Sequence, residues 1–138
     1  MGRILAGIVL GAIIAFGCVW TIEAISGAFY PLPTGFDPYT TANTGVEMAT
    51  VVPLPAKLLV VLGWCVGSLA GGAVAAWLSR RRIGAWIVAA LIVAGALSTA
   101  AAITHPTWMV AAGLLLPWLC AWAVQDFARF GRAFPPRR

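Results

Sequence analysis

The chain has 138 residues, of which 62% are hydrophobic and only 9% are charged. Soluble domains carry about 25% charged residues, so this composition excludes an ordinary water-soluble domain and indicates a protein solvated by lipid. The length allows one integral membrane domain, residues 1–138, without a separate soluble module. The formal net charge is +5, and the position of the basic residues along the chain makes it a signal of membrane topology.

Four apolar segments predict four membrane-spanning helices. Each segment approaches or exceeds the ~17–25 residues needed to cross the hydrocarbon core, and a helix satisfies its own backbone hydrogen bonds in lipid. We therefore expect an all-α fold, a four-helix transmembrane bundle. The predicted spans are residues 4–25, 56–78, 83–103 and 108–124.

The basic residues predict the orientation of these spans. All the arginines fall on one side of the membrane if the chain crosses it four times, and only Lys57 falls on the other. Because cytoplasmic segments are enriched in basic residues, both termini are expected inside the cell, with a cytoplasmic tail at 125–138. The excess of arginine over lysine is typical of a GC-rich bacterial genome. The prediction is a multi-pass protein of the cell inner membrane.

Basic side chains at the cytoplasmic ends of the spans predict contact with anionic lipid headgroups. The tail alternates phenylalanine with arginine, which is typical of a short interfacial anchor. A solvated tail that acts only as a topology signal is the alternative. Nucleic-acid binding is not expected, since the arginines lie at membrane ends and not on a recognition helix. The residues assigned to this basic surface are Arg80, Arg81, Arg82, Arg129 and Arg132.

The longest connection, residues 26–55, predicts an ordered lid over the outer end of the bundle. Prolines near its start are typical of extended and turn structure. Thr44 and Glu47 have the spacing of a capping box, which predicts a short interfacial helix over about 45–52. A disordered excursion is the alternative for a loop of this length. The other connections between spans are short, so neighbouring spans are expected to be antiparallel.

Small residues at four-residue spacing predict close contacts between helices. Lipid supplies no hydrophobic drive for helix association, so backbones approach each other at small side chains. We expect an intramolecular bundle, with homo-oligomerisation through one glycine row as the alternative. The expected packing residues of the first two spans are Gly7, Gly11, Gly63, Gly67 and Gly71. The third span offers a similar row at Ala90, Ala94, Ser98 and Ala102.

Three polar residues near the outer ends of different spans form a candidate polar site: Glu23, Lys57 and His105. Placing a carboxylate about one turn inside a span costs free energy, so Glu23 is by default a candidate functional residue. Three interpretations remain open. Glu23 forms an ion pair with Lys57, or it snorkels into the headgroups, or it builds a proton-relay or ligand site with His105.

Recognisable catalytic and metal-binding motifs are absent from the sequence. Without a nucleophile elbow, a phosphate-binding loop or a zinc-protease motif, we predict no catalytic residue and no cofactor. One histidine and scattered carboxylates predict no metal site. Cys18 and Cys65 match in predicted depth, so a disulfide is geometrically conceivable. Small buried thiols are the commoner outcome for such residues.

A short set of motifs resembles uncharacterised small four-span bacterial membrane proteins. These are Ile22-Glu23-Ala24-Ile25-Ser26, then Tyr30-Pro31, then a glycine-rich second span. The resemblance covers most of the chain and implies no assigned activity. We expect a non-enzymatic inner-membrane protein, structural or accessory, that works beside another membrane protein or as a homo-oligomer. One alternative is a small transporter or ligand-binding bundle with a site near Glu23 and His105 under the outer loop. A second is a membrane enzyme acting on a lipid or quinone.

Overall fold

The computed structural model describes residues 2–37, 39–40 and 50–133, and this part of the chain consists of helices and connecting turns without a strand. The first four helices are each long enough and apolar enough to cross a membrane. The predicted all-α fold with four candidate spans is therefore confirmed, which is the architecture of a multi-pass membrane protein. The helices are α1 (Gly2–Phe29), α2 (Leu54–Ser79), α3 (Ile83–Ala102), α4 (Thr107–Val124) and the short α5 (Phe127–Ala133).

The first helix continues to Phe29, four residues beyond the predicted end of the first span. Its last turn is closed by a hydrogen bond of 2.8 Å from the Tyr30 backbone N–H to the Ser26 carbonyl oxygen. Pro31 follows, and the residue before a proline disfavours helical backbone angles. The helix therefore ends where proline chemistry stops it, and the connection to α2 begins later than the sequence predicted.

The predicted interfacial helix at 45–52 lies mostly outside the described residues, as does its capping box at Thr44 and Glu47. Within the described part, Thr50 and Val51 are helical. The tail beyond residue 133 also lies outside the described residues. The lid and its helix therefore stay a prediction.

The second helix occupies the centre of the bundle, since it contacts α1, α3, α4 and α5. Two hydrogen bonds show that α1 and α2 are antiparallel, because each joins one end of α1 to the opposite end of α2. The Arg3 Nε donates to the Leu78 carbonyl oxygen at 3.0 Å, and the Ser26 Oγ donates to the Ala56 carbonyl oxygen at 3.5 Å. We name the end of the bundle with residues 80–82 the arginine end, and the end with residues 104–106 the loop end.

The backbones of α1 and α2 are in direct contact where their glycines face each other. A Cβ atom on Gly11 would lie 2.6 Å from the Gly71 carbonyl oxygen, and one on Gly67 would lie 2.7 Å from the Ala15 carbonyl oxygen. A Cβ on Gly7 would lie 2.8 Å from a backbone nitrogen of α2. Real Cβ atoms do not approach other atoms this closely, so only glycine fits these positions. The two glycine rows therefore pack against each other within one chain.

The third helix packs through a different face from the row of small residues that the sequence singled out. A Cβ on Gly84 would lie 2.7 Å from the Ala75 carbonyl oxygen, so this close approach to α2 fixes the rotation of α3. The buried residues of α3 include Ala85, Ala89, Ile92 and Ala96. The predicted row is exposed along its whole length: Ala90, Ala94, Ser98 and Ala102.

The half of the core nearer the loop end is built around one indole ring. Trp64 is buried, and it packs with Val88, Ile92 and Met109 of the neighbouring helices. A Cβ on Gly113 would lie 2.9 Å from the Trp64 ring, so this glycine makes the space in α4 that the ring fills. The half nearer the arginine end is lined almost wholly by alanines. The Trp64 ring is therefore accommodated because Gly113 opposes it.

We expect Gly71→Ala to lower the free energy of unfolding by about 1–3 kcal/mol, which is the usual cost of overpacking a close-packed contact. The added Cβ would lie 2.6 Å from the Ala15 Cβ and closer still to the Gly11 carbonyl oxygen. The matched control is Gly63→Ala in the same helix, where the nearest atom is the Ile22 Cβ at 3.6 Å. The measurement is thermal unfolding of the purified protein in detergent by scanning fluorimetry. Equal melting temperatures for the two variants would contradict the proposed contact.

Candidate functional site

The three residues of the candidate polar site are all at or near the loop end, but they do not form one cluster. His105 lies in the connection between α3 and α4 and is half-buried. Its Nδ1 lies 2.7 Å from the Ile103 carbonyl oxygen. A carbonyl oxygen only accepts, so this contact assigns a ring proton to Nδ1 and fixes the orientation of the ring.

Lys57 and His105 line the same small cavity at the loop end, which has a volume of about 70 Å³. Lys57 is half-buried in the first turn of α2. The cavity is closed on other sides by residues of the connection between α3 and α4, among them Thr104 and Pro106. The structure therefore brings two of the three predicted residues together.

Glu23 is exposed and lines a different cavity, a groove of about 300 Å³ between α1 and α3. Its carboxylate lies within electrostatic range of the His105 ring. The two ion pairs that join one described residue to another both involve Asp126, and neither includes Glu23. The predicted ion pair between Glu23 and Lys57 is thus not among the contacts that the described part of the chain makes.

An acidic residue that the sequence analysis overlooked organises the arginine end. Asp126 lies in the turn between α4 and α5, and its Oδ1 accepts from the Arg82 Nη2 at 2.6 Å. The Arg129 Nε lies 3.6 Å from the same oxygen. Exposed pairs of this kind contribute about 0–1 kcal/mol, so their role is mainly to position the turn. Asp126 is the only acidic residue on the side that carries the arginines, and that isolation was the available signal.

Four arginines surround one depression at the arginine end, with a volume of about 600 Å³. The turn begins at Arg80, which ends α2 with a left-handed φ of 57°. The Arg81 backbone N–H donates to the Ser79 Oγ at 3.2 Å and holds the turn in place. The arginines that line the depression are Arg80, Arg81, Arg82 and Arg132. Clustered guanidinium groups suit phosphate recognition because their planar donor geometry matches phosphate oxygens.

The short helix α5 lies against α2 at this end, and its own residue Ala128 is fully buried. Its phenylalanines and Trp77 border an apolar groove of about 440 Å³. The ring centroids of Phe127 and Phe130 are 5.7 Å apart. Aromatic side chains beside arginines are typical of the boundary between headgroups and acyl chains.

The three cysteines are free thiols, so no disulfide joins Cys18 to Cys65. The thiol of Cys65 lies instead beside that of Cys120 in α4. The described residues contain no group of three side chains suited to hold a metal ion.

Comparisons with protein-family models, with curated proteins and with solved structures find no significant match to this chain. The fold is a helical bundle with four candidate membrane spans, which is consistent with an integral membrane protein.

We expect Glu23→Gln to leave the free energy of unfolding within about 0.5 kcal/mol of the wild type, as for other exposed substitutions without a specific partner. Trp64→Ala provides the contrast and should cost about 3–5 kcal/mol, because it removes the buried ring that Gly113 accommodates. Thermal unfolding in detergent measures both variants. A loss comparable to that of Trp64→Ala would instead indicate that Glu23 has a structural ion pair.

Proposed function

We propose that the chain is a non-enzymatic accessory protein of a bacterial inner membrane, with both termini in the cytoplasm. The main support is the close packing of its interior. Large buried side chains such as Val88 and Ile92 fill the space between helices, and the glycines of α1 and α2 bring their backbones into contact. The cavity between α3 and α4 beside Trp64 has a volume of only about 10 Å³, which is about one water molecule.

This packing favours an accessory role over transport. A transporter needs a polar path that reaches the middle of the bundle, and charged residues inside spans usually line it. Here the larger cavities open at the ends of the bundle or on its side, and the ionisable residues are near the ends. The helix α1 leaves most of its surface to lipid or to a neighbour, since only Gly7, Gly11, Ala15 and Ser26 are buried. A partner membrane protein or a second copy of the chain is the proposed neighbour.

The proposed orientation rests on the asymmetry of the basic residues. The described arginines all gather at the arginine end, and the described Lys57 lies at the loop end. Retention of basic segments in the cytoplasm then makes the arginine end cytoplasmic. The four-arginine depression is proposed to contact anionic headgroups of the inner leaflet, where each basic side chain contributes about 1 kcal/mol.

Cysteine labelling tests this orientation. We expect a single cysteine at position 40, made as Thr40→Cys, to react with an impermeant maleimide added to intact spheroplasts. A single cysteine made as Arg81→Cys should react only in inverted membrane vesicles. Both parent residues are exposed, so access depends on the side of the membrane. The background replaces the three native cysteines by alanine, and labelling of position 81 from outside would overturn the orientation.

Reconstitution tests the accessory role against transport. We expect proteoliposomes that contain the full chain to show no proton flux above that of empty liposomes, measured with an internal pH dye under an imposed potential. The physical reason is that the described residues form a close-packed core without a polar path through it. Flux that the wild type supports and Glu23→Gln abolishes would favour the transporter alternative. Flux that both proteins support equally would instead indicate a leak that does not depend on Glu23.

A further inference from the structure

The groove between α1 and α3 has the construction of a binding site for an amphiphile. Phe16 and Trp20 form the wall on α1, Gly95 and Thr99 form the wall on α3, and the Trp64 ring of α2 forms the floor. Its volume of about 300 Å³ lies at the lower end of the range of about 300–1,000 Å³ for small-molecule sites. The groove is lateral, so its natural occupant arrives from the bilayer.

Polarity changes along the groove in one direction. Trp20 and Phe16 precede Glu23 by three and seven residues, so all three share one face of α1. The helix α3 also runs from the arginine end to the loop end, parallel to α1, and therefore places Thr99 near the level of Glu23 and Gly95 deeper, beside Phe16. The polar side chains are near the loop end, and the aromatic wall continues toward the middle of the bilayer. A lipid molecule has the same order, a headgroup followed by an acyl chain.

The charge of Glu23 selects the headgroup. The carboxylate lies six residues before the end of α1, a depth of about 9 Å along the helix, and it has no ion-pair partner among the described residues. An unpaired carboxylate near hydrocarbon is costly unless a cation accompanies it. The Thr99 Oγ1 donates to the Ala96 carbonyl oxygen at 2.9 Å, which leaves the oxygen itself able to accept a hydrogen bond. The site thus offers a charged acceptor and a neutral acceptor that line the same groove.

We propose that this groove binds an aminophospholipid, with the primary ammonium group at Glu23 and Thr99 and an acyl chain along Phe16 and Trp20. A primary ammonium has three N–H donors, whereas a choline group has none and an anionic headgroup is repelled by the carboxylate. The exposed Trp20 ring adds a surface that attracts a cation. The site does not depend on the accessory role proposed above.

The experiment measures which lipids stay bound to the full chain. The protein is reconstituted in equimolar phosphatidylethanolamine and phosphatidylglycerol, or in equimolar phosphatidylcholine and phosphatidylglycerol, and then extracted in mild detergent for native mass spectrometry. We expect one phosphatidylethanolamine to be retained about tenfold more often than either other lipid. In Glu23→Gln the retention of phosphatidylethanolamine relative to the other lipids should fall about tenfold, as expected for a lost charge-assisted hydrogen bond. Glu23→Asp, which keeps the charge, should retain most of it.

A second pair of variants tests the groove without changing its charge. A Cβ on Gly95 would meet only the Phe16 Cε1 atom, at an ordinary contact distance of 3.5 Å. Gly95→Ala is therefore the matched control and should keep the lipid. Gly95→Leu extends a side chain into the groove and should lose the lipid while Glu23 stays in place. This pair decides the question even if Glu23→Gln fails to fold.

Several results would overturn the proposal. Equal retention of phosphatidylethanolamine and phosphatidylcholine by the wild type would show that the headgroup is not read. Retention unchanged in Glu23→Gln or in Gly95→Leu would place the lipid elsewhere. The wild type could instead be extracted in detergent as a dimer. If Gly95→Leu abolished that dimer, a second copy of the chain would be the occupant of the groove.

Discussion

The direct contact between the backbones of α1 and α2 is the constraint on which the rest of the bundle depends. In lipid, apolar side chains gain nothing by leaving the solvent for one another, so helices associate where their backbones approach closely. Gly11 and Gly71 make that approach, and a Cβ at either position would overlap the other helix. The same central helix receives α3 at Gly84. One helix with small residues on several faces thus becomes the axis around which the other helices pack.

This arrangement also produces the two features that carry the functional proposals. Because α1 is held mainly by α2, it leaves a groove beside α3, with Trp64 as the floor and Glu23 near its polar end. At the arginine end, Asp126 connects the turn after α4 to Arg82 at the start of α3. The polar end of the groove at Glu23 and the four-arginine depression are therefore at or near opposite ends of the bundle, with a close-packed interior between them.

The candidate site was only partly predictable from the sequence. Glu23, Lys57 and His105 were placed near one end because span boundaries fix the depth of each residue. Their distribution between two cavities was not predictable, since it depends on the rotation of each helix. Asp126 was overlooked because its significance lies in the arginines of a distant turn. The sequence analysis considered Cys18 as the neighbour of Cys65, whereas the structure places the Cys120 thiol there, because depth along a span does not specify which helices touch.

The sequence by itself determined the number of candidate membrane spans, their approximate ends and the gathering of basic residues at one side. The number and ends of these spans follow from length, hydropathy and proline positions, which are local properties of the chain. Only the tertiary structure decided which face of each helix is buried. The helices are apolar all round, so hydropathy carries no direction in lipid. The row of small residues from Ala90 to Ala102 is exposed, while the neighbouring face with Ala89 and Ile92 is buried. The close approach of Gly84 to Ala75 determines which face of α3 is buried. This contact depends on α2 and therefore cannot be predicted from the sequence of α3 alone.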